Sequence, residues 1–272
     1  MSEHQSGRVW IAGLIVLAAL AVGAYFLVST GPQPEPAPPP VVEPEPEAEV
    51  TPIPEPEQTP VPEPAPETQP QRQLPALNDS DAIVRNDLLS LAPDGALGRW
   101  LVTDEVIRKW VAAVNAASSG EMMAKNRPYN SPRGTLLVTE EGPTGMTLSE
   151  GNYRRYDAPV RLLAMMDNDA AVALYRFWYP RLAEAYRELG IRDKRFHDVV
   201  LKAIDRVLAA PEVDQPVQLV RPSVYYKFAD PKIEKLPGVH KLLIRMGPDN
   251  AARVKEKLRA LKADLEQLRM EN

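Results

Sequence analysis

The segment from Pro32 to Pro70 constrains the fold of this chain most strongly, because it cannot contribute to a packed core. It contains sixteen of the 29 prolines and nine Glu, but no Lys or Arg. Proline fixes the dihedral φ and removes an amide donor, and like charges repel along the chain. In polyproline II geometry such a segment would reach about 120 Å. We therefore predict a disordered, Pro/Glu-rich linker over residues 29–73. Its role is to extend the reach of the residues that follow it, to act as a proline-motif ligand, or to serve as a spacer that any disordered segment could replace.

A run of twenty residues precedes this linker, and residues 9–28 read VWIAGLIVLAALAVGAYFLV without a charge or an amide side chain. A helix of this length is about 30 Å long, which matches the hydrocarbon core of a bilayer. The apolar core of a cleaved secretory signal is usually only about 7–15 residues, so an uncleaved transmembrane helix is favoured. Arg8 precedes the run and the next basic residue is Arg72. This asymmetry predicts a cytoplasmic N-terminus, residues 1–8, and export of the remainder to the bacterial periplasm.

The residues after the linker have a composition of their own. From Gln71 onward there are 31 basic and 27 acidic residues, although the whole chain has a net charge of −5. So small a basic excess does not indicate nucleic-acid binding. The chain has no cysteine, which excludes disulfides, thiol nucleophiles and cysteine zinc sites.

Apolar residues recur at helical spacing from Leu74 onward, which predicts a helical periplasmic domain over residues 74–272. We expect a mainly α fold with at most a short β element, near Thr135–Thr139, and a long C-terminal helix from about Pro248. The predicted helix N-caps are Ser80, Thr103, Asp167 or Asp169, and Asp193.

The last helix has a stricter pattern than the others. Its apolar residues alternate in spacing between three and four, as in a heptad seam. Docking of this seam against its own domain is favoured, because so short a seam is marginal by itself. A parallel homodimer through the same residues is the alternative. The seam residues are Ala251, Val254, Leu258, Leu261, Leu265 and Leu268.

No motif for phosphate binding or for a catalytic serine is present. With three histidines in the whole chain, we expect no metal site, and no cofactor is indicated. His197 next to Asp198 predicts a surface histidine rather than a catalytic pair, because neighbours on a helix point apart. Glu150 lies beside Tyr153 and Tyr156 in a predicted loop, and a glycosidase acid would need a second carboxylate that the sequence does not place there. We therefore expect no enzymatic activity.

Four residues are candidates for binding a partner, because Tyr and Arg are frequent interface anchors. They are Arg154, Arg155, Tyr156 and Arg245. The alternative is that the arginines hold the predicted loop through backbone carbonyls.

Several strings in the exported part carry a family resemblance: LPALNDSD, NYRRYD, YYKFADPKIEKLPG and HKLLIRMGPDN, with Phe196 after the helix-ending Gly190. They resemble a Gram-negative family named domain of unknown function three-zero-one-four, over Leu74 to about Leu268. His240 departs from the Gln that is usual there. The resemblance implies an anchor, a proline-rich tether and a helical exported domain, with no assigned activity.

The string RMGPDN also has a structural interpretation. Gly247 and Pro248 should end one helix and begin the next, with Asn250 bonded to the freed backbone groups.

Together these features predict a single-pass inner-membrane protein of the bacterial envelope. Its tethered helical domain is expected to act as a non-catalytic binding or scaffold module for an envelope protein or glycan. The alternative is a peptidoglycan hydrolase or a regulator of one.

Overall fold

Eight α-helices and one four-stranded antiparallel sheet make up the part of the chain that the computed structural model describes, residues 72–132, 134–141 and 145–270. The predicted mainly α fold is confirmed for this part. The sheet is larger than the single short β element that the sequence led us to expect.

The predictions for the N-terminal region concern other residues. The cytoplasmic segment 1–8, the transmembrane helix 9–28 and residues 29–71 of the predicted linker lie outside the described residues. Among the residues that are described, none of the helices combines the length and hydropathy that crossing a bilayer requires.

The larger hydrophobic cluster lies between seven of the eight helices, and the short helix α6 contributes none of its buried residues. Trp110 and Trp178 are its largest fully buried side chains, and the Trp178 indole donates a hydrogen bond of 2.8 Å to Asp87. The helices are α1 Asp81–Leu89, α2 Val106–Ser118, α3 Glu150–Met165, α4 Asn168–Glu188, α5 Phe196–Leu208, α6 Pro231–Glu234, α7 Gly238–Met246 and α8 Pro248–Glu266.

One of the predicted helix caps is confirmed by the structure, and the others are not formed. Asp167 caps α4, because its Oδ1 accepts a hydrogen bond of 2.7 Å from the Ala170 amide. Thr103 does not cap α2. Instead Asp81, at the start of α1, accepts from the amides of Glu105 at 2.7 Å and Val106 at 2.8 Å. A carboxylate from another helix thus satisfies the free N–H groups of α2, which local sequence could not indicate.

The other two predicted caps are also not formed. Ser80 stands at the N-cap position of α1, but its hydroxyl donates to the Leu77 carbonyl at 2.7 Å instead of accepting from the helix. Asp193 lies before the start of α5, whose N-cap residue is Arg195 and has no side-chain cap.

The sheet has the order β1-β2-β3-β4 and lies over a second, smaller hydrophobic cluster. β2 pairs with β3 through Met146 and Leu219, although these residues are far apart in sequence. Ile244 of α7 belongs to the smaller cluster, whereas its neighbour Leu243 belongs to the larger one, so α7 joins the two cores. The strands are β1 Val138–Glu141, β2 Gly145–Leu148, β3 Gln218–Val220 and β4 Lys227–Phe228.

The C-terminal helix α8 packs its heptad seam into its own domain. Val254, Leu258, Leu261 and Leu265 are buried in the larger cluster, and the other two seam residues pack against it. This is the docking of α8 against its own domain that the sequence favours. A parallel dimer through the same side chains would require α8 to leave this core.

Two lysines of α8 also fix it across the ends of other helices. The Lys255 ammonium donates to the Ala210 carbonyl at 2.6 Å, just beyond α5, and Lys257 donates to the Met166 carbonyl at the end of α3. Cations at helix C-termini satisfy free carbonyls and complement the helix dipole. Burial lowers the pKa of Lys257.

Candidate functional site

Gly247 forms a sharp junction between α7 and α8. It is the C-cap of α7 and the N-cap of α8, and Pro248 is the first residue of α8, as the sequence predicts. Its backbone has φ 83° and ψ 162°, a region that is essentially restricted to glycine. A Cβ atom at this position would lie 2.5 Å from Cγ of Tyr153. Both the backbone and the neighbouring ring therefore require glycine.

Asn250 ties this junction to α3. Its buried amide nitrogen donates to the carbonyls of Met246 at 3.1 Å and Tyr153 at 3.1 Å, and to Oδ1 of Asp157 at 2.9 Å. The contact with Met246 confirms the predicted bond to a freed carbonyl of α7. One side chain thus holds α7, α8 and α3 together.

Asn152 makes the reciprocal connection from α3. It is fully buried, and its amide nitrogen donates to the Arg245 carbonyl at 2.9 Å. Its Oδ1 accepts a hydrogen bond of 3.1 Å from Arg155. The strings NYRRYD and RMGPDN, 93 residues apart at these contacts, are therefore bonded to each other in both directions.

The segment around Glu150 is the first part of α3 and not the predicted loop. The Ser149 hydroxyl caps this helix by accepting from the Gly151 amide at 3.3 Å. The next turns carry the charged residues of the string NYRRYD, and Pro159 lies within the helix. Contacts to other parts of the chain stabilise a helix whose own apolar pattern is weak.

Arg155 holds the neighbouring loop through backbone carbonyls, which is the alternative to partner binding that the sequence left open. Its guanidinium donates to the carbonyls of Thr135 at 2.8 Å, Gly134 at 2.9 Å and Pro132 at 3.2 Å. Burial lowers its pKa.

Tyr156 and Arg245 also have packing roles. Tyr156 is buried in the larger cluster, and burial raises the pKa of its hydroxyl. The Arg245 guanidinium lies 5.3 Å from the centre of the Phe228 ring, and burial lowers its pKa. Arg154, in contrast, is exposed. Of the four residues proposed from the sequence, Arg154 alone lines the groove described next.

The groove lies between the first turns of α3 and the junction and has a volume of about 550 Å³. Its floor contains Tyr153, whose hydroxyl donates to Oε1 of Gln215 at 2.6 Å. Burial and the nearby Glu150 carboxylate raise the pKa of Tyr153. A second hollow of about 310 Å³ shares Gln215 and residues 247–249 with the groove, so the concave surface continues past the junction.

The lining of the groove carries both signs of charge. Glu150 and Asp249 are exposed carboxylates, Asp157 is partly buried and bonded to Asn250, and Arg154 is the cation. Glu150 and Arg154 were recognised as candidates from the sequence, whereas Asp157 and Asp249 were not. Both missed residues belong to the quoted strings, so the signal lay in the strings themselves.

The two histidines of the described part have internal partners. His197 is buried, which corrects the predicted surface position, and its Nδ1 lies 3.0 Å from the Tyr175 hydroxyl. The neighbouring Asp198 pairs with Arg195 at 2.8 Å rather than with His197. Nε2 of His240 lies 2.6 Å from the Arg206 carbonyl. In the described ranges, no three His, Asp or Glu side chains form a group that could hold a metal ion.

Comparison with known families gives one result. The family model described as protein of unknown function (DUF3014) matches residues 106–262, a range that includes both strings of the junction. Comparisons with curated proteins and with solved structures find no match.

Proposed function

The chain belongs to the DUF3014 family, and we propose that its helical domain is a non-catalytic binding module that holds an envelope protein or glycan in the groove beside Gly247. The observation that carries this proposal is the construction of the groove. Its exposed side chains project from a floor that is fixed by buried hydrogen bonds of Asn152 and Asn250. A preorganised surface reduces the entropy cost of binding.

The charges of the groove indicate the kind of ligand. Arg154 can bind a carboxylate or hydroxyl group, while Glu150 and Asp249 can accept hydrogen bonds from amines, amides or sugar hydroxyls. A polar ligand with donors and acceptors, such as a peptide or a glycan, fits this lining better than an apolar molecule.

We also propose where the module works. The twenty apolar residues 9–28 support a single-pass anchor in the bacterial inner membrane, and the Pro/Glu-rich linker supports a tether of long reach. The N-terminus would then lie in the cytoplasm and the helical domain in the periplasm. A reporter enzyme that is active only in the periplasm, fused after Asn272, should be active. Activity of a matched cytoplasmic reporter instead would refute this location.

Site-specific photocrosslinking in intact cells tests the binding module. A photoreactive amino acid at Arg154 should give a discrete crosslinked product with another envelope component. The matched control is Arg259, an exposed arginine of α8 that does not line the groove. The same products from both positions, or none from Arg154, would contradict the proposal.

One observation favours a second function, peptidoglycan hydrolysis. Glu150, Asp157 and Asp249 line one groove, and glycosidases use a pair of carboxylates. Two of the three are exposed, however, whereas a general acid needs a dry environment that raises its pKa. The full chain should therefore release no soluble fragments from purified peptidoglycan. If soluble fragments are released, and Glu150→Gln or Asp157→Asn abolishes their release, the domain is a hydrolase and the binding proposal is wrong.

A further inference from the structure

A second pocket, of about 200 Å³, lies at the turn between α4 and α5 and shares no residue with the groove. Four cationic side chains line it: Arg187, Arg192, Lys194 and Arg195. All four are exposed at the surface of the domain. The carboxylates near them are those of Asp193 and Asp198, so the pocket keeps an excess of positive charge.

Two of these cations are already paired. Arg195 donates to Asp198 through two nitrogens, at 3.0 and 2.8 Å, and Lys194 lies 4.0 Å from Asp193. Arg187 and Arg192 form no ion pair with a carboxylate of the described residues. Their guanidinium groups are available, and guanidinium forks match the oxygens of phosphate.

The N-terminus of α5 opens into the same pocket. Arg195 and Phe196, at the start of this helix, both line the pocket, and no side chain caps the helix. The first N–H groups of a helix have no intrahelical partner, and together with the helix dipole they favour an anion.

The buried Tyr179 hydroxyl is an independent observation that points to a ligand with acceptor oxygens. Tyr179 lines the pocket and is 4% exposed, and its hydroxyl proton has no acceptor among the described residues. Burial and the Asp198 carboxylate raise the pKa of this hydroxyl, while a hydrogen bond from the His197 amide and the charges of Arg195 and Arg187 lower it. The hydroxyl therefore lies beside the helix N-terminus and the cations. A buried O–H donor without an acceptor is costly, and an anion would provide the acceptor.

We propose that the pocket between α4 and α5 binds a phosphate group. Arg187 and Arg192 hold its outer oxygens, and the Tyr179 hydroxyl and the first amides of α5 bind its inner oxygens. A free phosphate ion and the headgroup of an anionic lipid offer the same chemistry. This site is separate from the proposed binding groove, and neither proposal depends on the other.

Titration of the full chain, purified in uncharged detergent, with inorganic phosphate tests the site. Binding is measured by isothermal titration calorimetry at constant ionic strength and checked by broadening of the phosphorus NMR signal. We expect saturable binding with one phosphate per chain. Tyr179→Phe removes the hydroxyl and retains the ring, and it should weaken binding about tenfold.

A double variant, Arg187→Gln with Arg192→Gln, should weaken binding by tenfold or more, about the effect of losing charge-assisted hydrogen bonds. The matched control is Arg176→Gln, an exposed arginine of α4 that does not line the pocket, and it should leave binding unchanged. Absence of saturable binding, or an equal effect of the control and the pocket variants, would overturn the proposal.

Glycerol phosphate, a headgroup without acyl chains, distinguishes the two sources of the ligand. Tighter binding than inorganic phosphate, with the same dependence on Tyr179, would support a lipid headgroup. Weaker binding would support the free ion. A glycerol phosphate affinity that Tyr179→Phe does not change would place the ligand elsewhere and contradict the assigned pocket.

Discussion

Replacing Gly247 by alanine should destabilise the domain by about 2–6 kcal/mol. The first contribution is backbone strain, because residues other than glycine pay about 1–3 kcal/mol at φ 83° and ψ 162°. The second is the contact with Tyr153, whose ring atoms lie 2.5–2.9 Å from the new Cβ position. Such overpacking typically costs about 1–3 kcal/mol. The total is a large fraction of a usual folding free energy of about 5–15 kcal/mol.

Urea unfolding measures this cost, followed by the fluorescence of the buried tryptophans. Gly190→Ala is the control for the backbone contribution, because Gly190 has φ 82° and no atom within 4 Å of its Cβ position. We expect it to cost about 1–2 kcal/mol.

A double-mutant cycle isolates the contact with the ring. In a Tyr153→Ala background, Gly247→Ala should lose the overpacking contribution and cost about 1–3 kcal/mol, the backbone strain alone. An equal cost in both backgrounds would refute the inference that the ring of Tyr153 requires glycine at this junction.

Three further predictions concern other parts of the domain. Burial lowers the pKa of His197, so the unfolded chain binds this proton more readily, and stability should fall as the pH decreases below about 6.5. His197 can change the free energy of unfolding by at most about 1.4 kcal/mol per pH unit. Urea unfolding across pH 5–8 should show that His197→Gln lacks this pH dependence, and an unchanged pH dependence would exclude His197 as its source. Lys257→Met leaves the Met166 carbonyl without its donor and should cost about 1–3 kcal/mol, whereas Lys202→Met at an exposed site should stay within about 0.5 kcal/mol. Leu258→Ala should lower the free energy of unfolding by about 2–5 kcal/mol and leave the mass measured by sedimentation unchanged. If α8 instead formed a zipper dimer, this variant would sediment with a lower mass than the original chain and its stability would change little.

The helices with a clear apolar face were predictable from the sequence. The apolar residues Val106, Ile107, Trp110, Val111 and Val114 of α2 recur at helical spacing, and all are buried. The same holds for α5, in which the predicted face, from Phe196 to Val207, faces the larger cluster. In both helices, burial of a single face decides the structure, and a local pattern reports that face directly.

Elements that depend on distant partners were not predictable in this way. The cap of α2 comes from Asp81, 24 and 25 residues before the amides that it binds. The sheet pairs strands of two to four residues, too short for an alternating pattern to be recognised. The first turns of α3 lack an apolar stripe and depend on contacts such as that of Asn152 with the Arg245 carbonyl.

The junction also changes which residues should be expected to bind a ligand. Within the two strings that meet at the junction, NYRRYD and RMGPDN, four residues have structural roles that account for their presence without any partner: Gly247, Asn250, Asn152 and Tyr153. Their replacement would disturb the floor of the groove and would reduce binding of any ligand there, so such variants cannot distinguish recognition from folding. Arg154 lies in the string NYRRYD, is exposed and lines the groove, and it forms no hydrogen bond or ion pair with another described residue. Loss of crosslinking or of function in Arg154→Gln, with unchanged urea unfolding, would therefore be evidence of recognition that the rest of the string cannot provide.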